Sequence, residues 1–320
     1  VLYLLLFISG LFWAVLGLGY KVADQYRCRT AGFARVMFVC AGLVCGIAAF
    51  LTERTTWGDW RLWALALGAG VLFFLVLLLL MPAYRLGPAS VVWIVVNLGT
   101  LVPILLSPFF NERLYWFFDP LLLGLFILML LAFQRGMAQA KDTTPATGLL
   151  FLLVLMAVFL SNGVLLAAPK WQSILFEGAN RLGYLTIFYF GGAAATLVAD
   201  LLRKESLPST RSEWKAGLLA GFSGAVGMLL FMSVIRLPAA VVFSLNGGVS
   251  LLGGVVLTTL IYRERLNTLK VTGLALGMVV LLTAVLRGPL VEKLQHFCEH
   301  HAITGVSSTY GRSASEKPAE

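Results

Sequence analysis

Polar positions are scarce along this chain, and they fall in short clusters between apolar runs. Ten such runs can be read, at about 1–20, 36–52, 62–84, 89–110, 115–133, 148–168, 182–202, 216–235, 239–260 and 269–286. Each is close to the ~20 residues a helix needs to cross roughly 30 Å of hydrocarbon. The runs are continuous rather than alternating, so they do not have the patterning of barrel strands. The pattern predicts an all-α membrane protein with ten transmembrane helices and short connections.

The spaces between runs repeat. Asp59-Trp60-Arg61 opens the third run and Glu213-Trp214-Lys215 the eighth. Arg85-Leu86 and Arg236-Leu237 precede the fourth and ninth, and Glu112-Arg113-Leu114 and Glu264-Arg265-Leu266 follow them. Lys21 and Lys170 close the first and sixth runs. All recur at an offset of about 150 residues, which predicts two copies of one five-helix unit. The expected organisation is a first repeat over 1–140, a second over 141–288, and an amphipathic then disordered tail over 289–320. Five is odd, so the second copy must enter the membrane from the opposite face. Such inverted repeats are typical of secondary transporters.

Composition agrees with a bilayer as solvent. The chain is 59% hydrophobic and only 12% charged, with a mean hydropathy of +0.90, whereas soluble domains carry about 25% charged residues. The first run lacks a basic leader and is expected to stay as an anchor. The net charge of +9 is spread singly over loops, which argues for membrane topology and against nucleic acid. The four cysteines have no framework spacing.

The residues "GPASVV" (87–92) with "NERL" (111–114), their counterparts "PAAVV" (238–242) with "RERL" (263–266), and the Gly-containing helices that follow resemble the drug/metabolite transporter superfamily in its ten-helix, EamA-like form. The resemblance covers about residues 1–288. It implies a permease in the cytoplasmic (inner) membrane that moves a small metabolite, amino acid or drug-like solute by alternating access. Small four-helix relatives carry a membrane-embedded Glu in their first helix. Residues 1–20 here hold no carboxylate, so proton coupling of that kind is not expected.

Candidate chemistry lies where breakers enter the fourth and ninth runs: Asn97, Gly99, Pro103 and Pro108 in one, and Asn246, Gly247, Gly248, Gly253 and Gly254 in the other. Matching interruptions in two halves point to a substrate site. At about 1.5 Å per residue both asparagines are expected roughly 11–12 Å deep, counted from opposite faces. Trp93, Asn97 and Thr100 share one helix side, as do Phe243, Asn246 and Ser250. Each set offers an aromatic wall, an amide and a hydroxyl, a lining suited to a neutral or zwitterionic solute. Ser161, Asn162 and Tyr189 complete the expected substrate-binding set. Trp13 stands at the position equivalent to Asn162.

No carboxylate falls near the middle of a run, where a charge would cost about 3 kcal/mol. Asp200 is expected to pair with Arg203 or Lys204, Glu112 with Arg113, and Glu264 with Arg265. Gly217 and Gly221 form a GxxxG step, expected to pack within the chain. There is no phosphate loop, metal helix or nucleophile elbow. Neither enzyme activity, a cofactor nor a metal site is therefore expected, and "HFCEHH" (296–301) is too irregular for a metal. The alternative reading is a membrane-embedded enzyme or flippase acting on lipid-linked substrates. The expected partners are a small-molecule substrate and the lipid bilayer, with the chain a monomer or homodimer. The Lys and Arg count places both termini outside, whereas the resemblance implies both inside.

Overall fold

The computed structural model describes residues 1–52, 58–86, 89–112, 118–138, 149–177, 179–204, 209–262 and parts of 268–286. Among them every regular element is a helix: α1 (Leu2–Gln25), α2 (Thr30–Thr52), α3 (Trp60–Leu86), α4 (Ala89–Leu98), α5 (Leu101–Leu105), a 3-10 turn (Ser107–Phe110), α6 (Phe118–Ala138), α7 (Leu149–Leu175), α8 (Arg181–Arg203), α9 (Arg211–Val234) and α10 (Ala239–Tyr262). Further helical residues lie between 268 and 286. Six helices (α1, α2, α3, α7, α8 and α9) are long and apolar enough to cross a membrane, as a multi-pass membrane protein requires. The outer surface is correspondingly apolar, with Phe50, Phe109, Leu202 and Leu260 among many exposed large side chains. A surface of that kind is suited to lipid and not to water.

Several helices extend beyond the apolar runs that predict them. α1 continues past Lys21 to Gln25, α2 starts at Thr30 rather than 36, and α7 runs five residues past Lys170. A helix satisfies its own backbone, so it continues through polar residues at the membrane surface until a local signal stops it. For α1 that signal is Arg27, in a left-handed conformation with φ 48°, which lets the Cys28 amide reach back to the Ala23 carbonyl at 2.9 Å. α9 starts with a capping box: Glu213 N donates to Thr210 Oγ1 at 3.3 Å and Thr210 N to Glu213 Oε2 at 2.8 Å.

The fourth and ninth runs differ. The fourth is broken into α4, α5 and the 3-10 turn, as its breakers predict. The ninth was expected to be interrupted too, yet α10 is helical from Ala239 to Tyr262. Glycines weaken a helix but keep their N–H donors, whereas Pro103 removes the donor that the Gly99 carbonyl needs. The chain there tightens: Val102 N bonds the Gly99 carbonyl and Thr100 N the Asn97 carbonyl, each at 3.1 Å.

Packing runs mainly between the two halves of the sequence. α1 lies against α9 and α10, α2 against α8 and α9, and α3 against α8 and α7, while α4 and α5 lie against α7 and α10. Close approach is built on small residues. A methyl on Gly70 of α3 would stand 2.1 Å from the Phe188 carbonyl of α8. Gly217 and Gly221 of α9 face Val36 and the Met37 carbonyl of α2, so this GxxxG step packs within the chain.

Candidate functional site

The breaker-rich fourth run places its polar groups around a central cavity of about 80 Å³. The cavity is bounded by residues from α1, α2, α3, α4, α7, α8, α9 and α10. Because one water needs about 10–15 Å³ by this kind of measure, it has room for a cluster of waters or a small solute.

Of the nine residues expected to contact substrate, six line this cavity: Trp93, Asn97, Thr100, Asn162, Tyr189 and Ser250. Asn246, Phe243 and Ser161 do not. Asn246 is buried, with its carbonyl against Gly10 on the α1–α10 seam. Phe243 packs on Phe231, ring centroids 5.5 Å apart. Ser161 Oγ donates to the Ala157 carbonyl of its own helix. Trp13 and Asn162, expected from the sequence offset to be equivalent, both line the cavity. Phe73 and Phe188, stacked at 5.7 Å, belong to the lining without having been expected, as does Tyr20. As parts of long apolar runs, they carried no local signal.

Three of the polar residues are engaged with the break itself. Asn97 Nδ2 donates to the Trp93 carbonyl at 2.8 Å and Thr100 Oγ1 to the Asn97 carbonyl at 2.6 Å. Asn162 Nδ2 reaches across from α7 to the Val96 carbonyl at 2.8 Å. That reach requires a glycine beside it, because a methyl on Gly99 would lie 2.7 Å from the amide nitrogen. Backbone acceptors loosened at depth are thus supplied by side chains.

Two cavity residues keep unused hydrogen-bonding capacity. Trp93 Nε1 and Ser250 Oγ are buried and have no partner among the described residues. Leaving such a group unpaired costs about 1–3 kcal/mol. The Trp93 indole spans from α10 to α1. A methyl on Gly254 would stand 2.7 Å from Nε1, and one on Gly17 would stand 2.5 Å from the far edge of the ring.

Charge is kept away from this centre and gathered at the two ends of α9. At its start, Glu213 accepts from Arg29 N at 3.0 Å, Nε at 3.1 Å and Nη2 at 3.3 Å. Asp200 there pairs with Arg35, whose Nη2 also donates to Ser209 Oγ at 3.1 Å. Beyond the end of α9, Lys170 pairs with Glu112 and donates to the Ile235 and Leu237 carbonyls at 2.9 and 2.7 Å. Glu112 Oε2 also accepts from Ala239 N at 2.7 Å, at the start of α10. The Asp200 partner corrects the expectation of local pairing, since Asp200 is bound to Arg35 rather than Arg203 or Lys204. Glu112 is bound to Lys170, and Arg113 lies outside the described residues. Sequence neighbours are poor guides here because a buried carboxylate needs a buried cation, which only a packed helix supplies. Glu264 and the "HFCEHH" stretch lie outside the described residues.

No protein-family model and no curated protein matches the chain. The architecture has been seen before. A solved crystal structure superposes with a TM-score of 0.68 at 19% identity, over 89% of this chain and 98% of that one. At that identity the likeness is one of fold alone.

Proposed function

We propose that this chain is a secondary transporter of the drug/metabolite type, moving a small organic solute across the cytoplasmic membrane by alternating access. In this reading ten spans form two inverted five-helix halves, 1–140 and 141–288, around one shared site. The observation that carries the reading is the central cavity, which receives side chains from both halves.

The packing supports the inversion. If α1, α2, α3 and α4–α5 correspond to α7, α8, α9 and α10, then each major contact has an exchanged twin. α1 on α9 is matched by α7 on α3, α2 on α9 by α8 on α3, and α1 on α10 by α7 on α4–α5. The α2–α8 contact maps onto itself. This is the pattern a two-fold axis in the membrane plane produces.

The charge distribution supports the gating. Every ion pair described above joins one half to the other, and the two groups lie at opposite ends of α9. Parting one group while the other holds would expose the cavity to one face at a time.

The experiment is reconstitution of the full chain in liposomes, followed by counterflow of radiolabelled metabolites, amino acids and neutral aromatic compounds. Accumulation of at least one solute, abolished by dissipating its own gradient, is expected. A chain that is folded and correctly inserted yet moves no member of a broad panel would remove the transporter reading.

A further inference from the structure

On the reading of the central cavity as the carrier's binding site, the chemistry of the solute can be narrowed. The two uncommitted polar atoms, Trp93 Nε1 and Ser250 Oγ, belong to one seam. α4 and α10 run past each other in opposite directions there. Thr100 meets Gly247, with a methyl on that glycine 3.0 Å from Thr100 Cγ2, and Trp93 meets Gly254. Ser250 falls between the two glycines on the same side of α10 and one turn from Gly254, level with the stretch of α4 that carries Asn97. One amide N–H of Asn97, one of Asn162 and the Thr100 hydroxyl proton are given to backbone carbonyls. The two groups on this seam without a partner among the described residues are thus one indole N–H and, about one turn of α10 away from the glycine it meets, one hydroxyl.

The rest of the lining is apolar or aromatic. On α8, Phe188 stacks on Phe73 of α3 and meets Tyr189 edge-on at 4.8 Å, forming a flat-faced wall. The Tyr189 hydroxyl donates to the Gly224 carbonyl at 3.2 Å. None of the described lining residues is charged. The ion pairs between the helices lie at the two ends of α9. A solute with a full charge would lose its hydration here without gaining a counter-ion. A zwitterion would lose it twice.

We infer that the cavity takes an uncharged, flat, mainly apolar solute that presents one carbonyl-type oxygen to Trp93 Nε1 and Ser250 Oγ. The ring of such a solute lies against Phe188 and Tyr189, where offset or edge-on contacts between rings are favourable. The single oxygen sets its orientation by satisfying the two orphaned groups.

Benzamide, benzoate and benzylamine are suitable probes, since they share a ring and differ in charge. Binding to the purified full chain in lipid nanodiscs is followed through thermal stabilisation at neutral pH, where a ligand of the folded state raises the melting temperature increasingly as its concentration exceeds its Kd. Benzamide is expected to stabilise the protein at concentrations where benzoate and benzylamine do not. Trp93→Phe keeps the ring and removes the N–H, and is expected to weaken benzamide about two- to tenfold while leaving ethylbenzene unchanged. Should that variant fail to fold, Ser250→Ala provides the same reading. Stabilisation by benzoate or benzylamine equal to that by benzamide overturns the inference. So does the absence of any shift with benzamide, or undiminished benzamide binding in both variants. The transporter reading is judged separately by liposome counterflow. Benzamide binding without any flux keeps this site and removes the carrier. Flux of a charged solute without benzamide binding does the reverse.

Discussion

Trp93 shows how one side chain ties sequence to site. Its indole fits only because Gly17 on α1 and Gly254 on α10 offer no side chain at the two ends of the ring. Gly17→Ala and Gly254→Ala should each force the ring to shift, at an expected cost of about 1–3 kcal/mol, and both should lower the melting temperature in detergent. Their combination should exceed either alone. A second prediction concerns Lys170, buried against Glu112 and two carbonyls. Lys170→Met strands a carboxylate and is expected to cost about 3–5 kcal/mol. Lys170→Met with Glu112→Gln should cost less than Lys170→Met alone, because the neutral amide still accepts from Ala239 N. A double-mutant cycle on thermal unfolding measures the coupling. At this scale the sequence was only partly legible. Trp93, Asn97 and Thr100 could be assigned to one face from spacing alone. The role of Lys170 could not, because its partners lie 58, 65 and 67 positions away along the chain.

At the scale of elements, prolines and glycines in one run proved to have different weights. Asn97, Gly99 and Pro103 predicted a break in the fourth run and the break is there. The glycines of the ninth run predicted another, and α10 passes through them. Glycine keeps its N–H donor and Pro103 does not, but Pro82 and Pro169 sit inside unbroken α3 and α7, so the break needs Gly99, four residues earlier, as well as the proline. Asn162→Ala should loosen the break from a distance, since it removes the side-chain amide from the Val96 carbonyl and leaves it the Gly99 N–H alone among the described residues. The expected cost is about 1–3 kcal/mol, with faster hydrogen exchange at Gly99–Val102 and little change in α10. Pro103→Ala restores a donor toward the Gly99 carbonyl and should slow exchange over the same residues.

Across the whole molecule, the apolar runs predicted an all-helical, multi-pass chain, and six helices long and apolar enough to span are present among the described residues, because a bilayer leaves the backbone few options. Which helix touches which was not readable from them. That depends on side-chain shape at each seam and on the charged pairs at the ends of α9. The pairs lead to a prediction at this scale. Cys28, in the turn between α1 and α2, is buried beside the Arg29–Glu213 pair. Burial foremost, then the Glu213 charge, pushes its thiol above the ordinary value, with its own backbone amide and Arg85 partly offsetting this. Since the thiolate is the reactive form, Cys28 should alkylate slowly near neutral pH and faster as pH rises. Arg29→Ala with Arg35→Ala should speed the reaction by opening that end. Glu112→Gln, at the far end of α9, should leave the rate unchanged. Peptide mapping after a timed pulse of a water-soluble maleimide reads both outcomes.

The unequal treatment of two otherwise matching segments also bears on how the molecule moves. One side of the cavity is a jointed rod, with joints at residues 99–100 and again near 106. The other is a single stiff rail. If the chain transports as proposed, displacement should concentrate on the jointed side, so that snapshots of different states would diverge most between Gly99 and Phe110 and nearly coincide along the first four turns of α10.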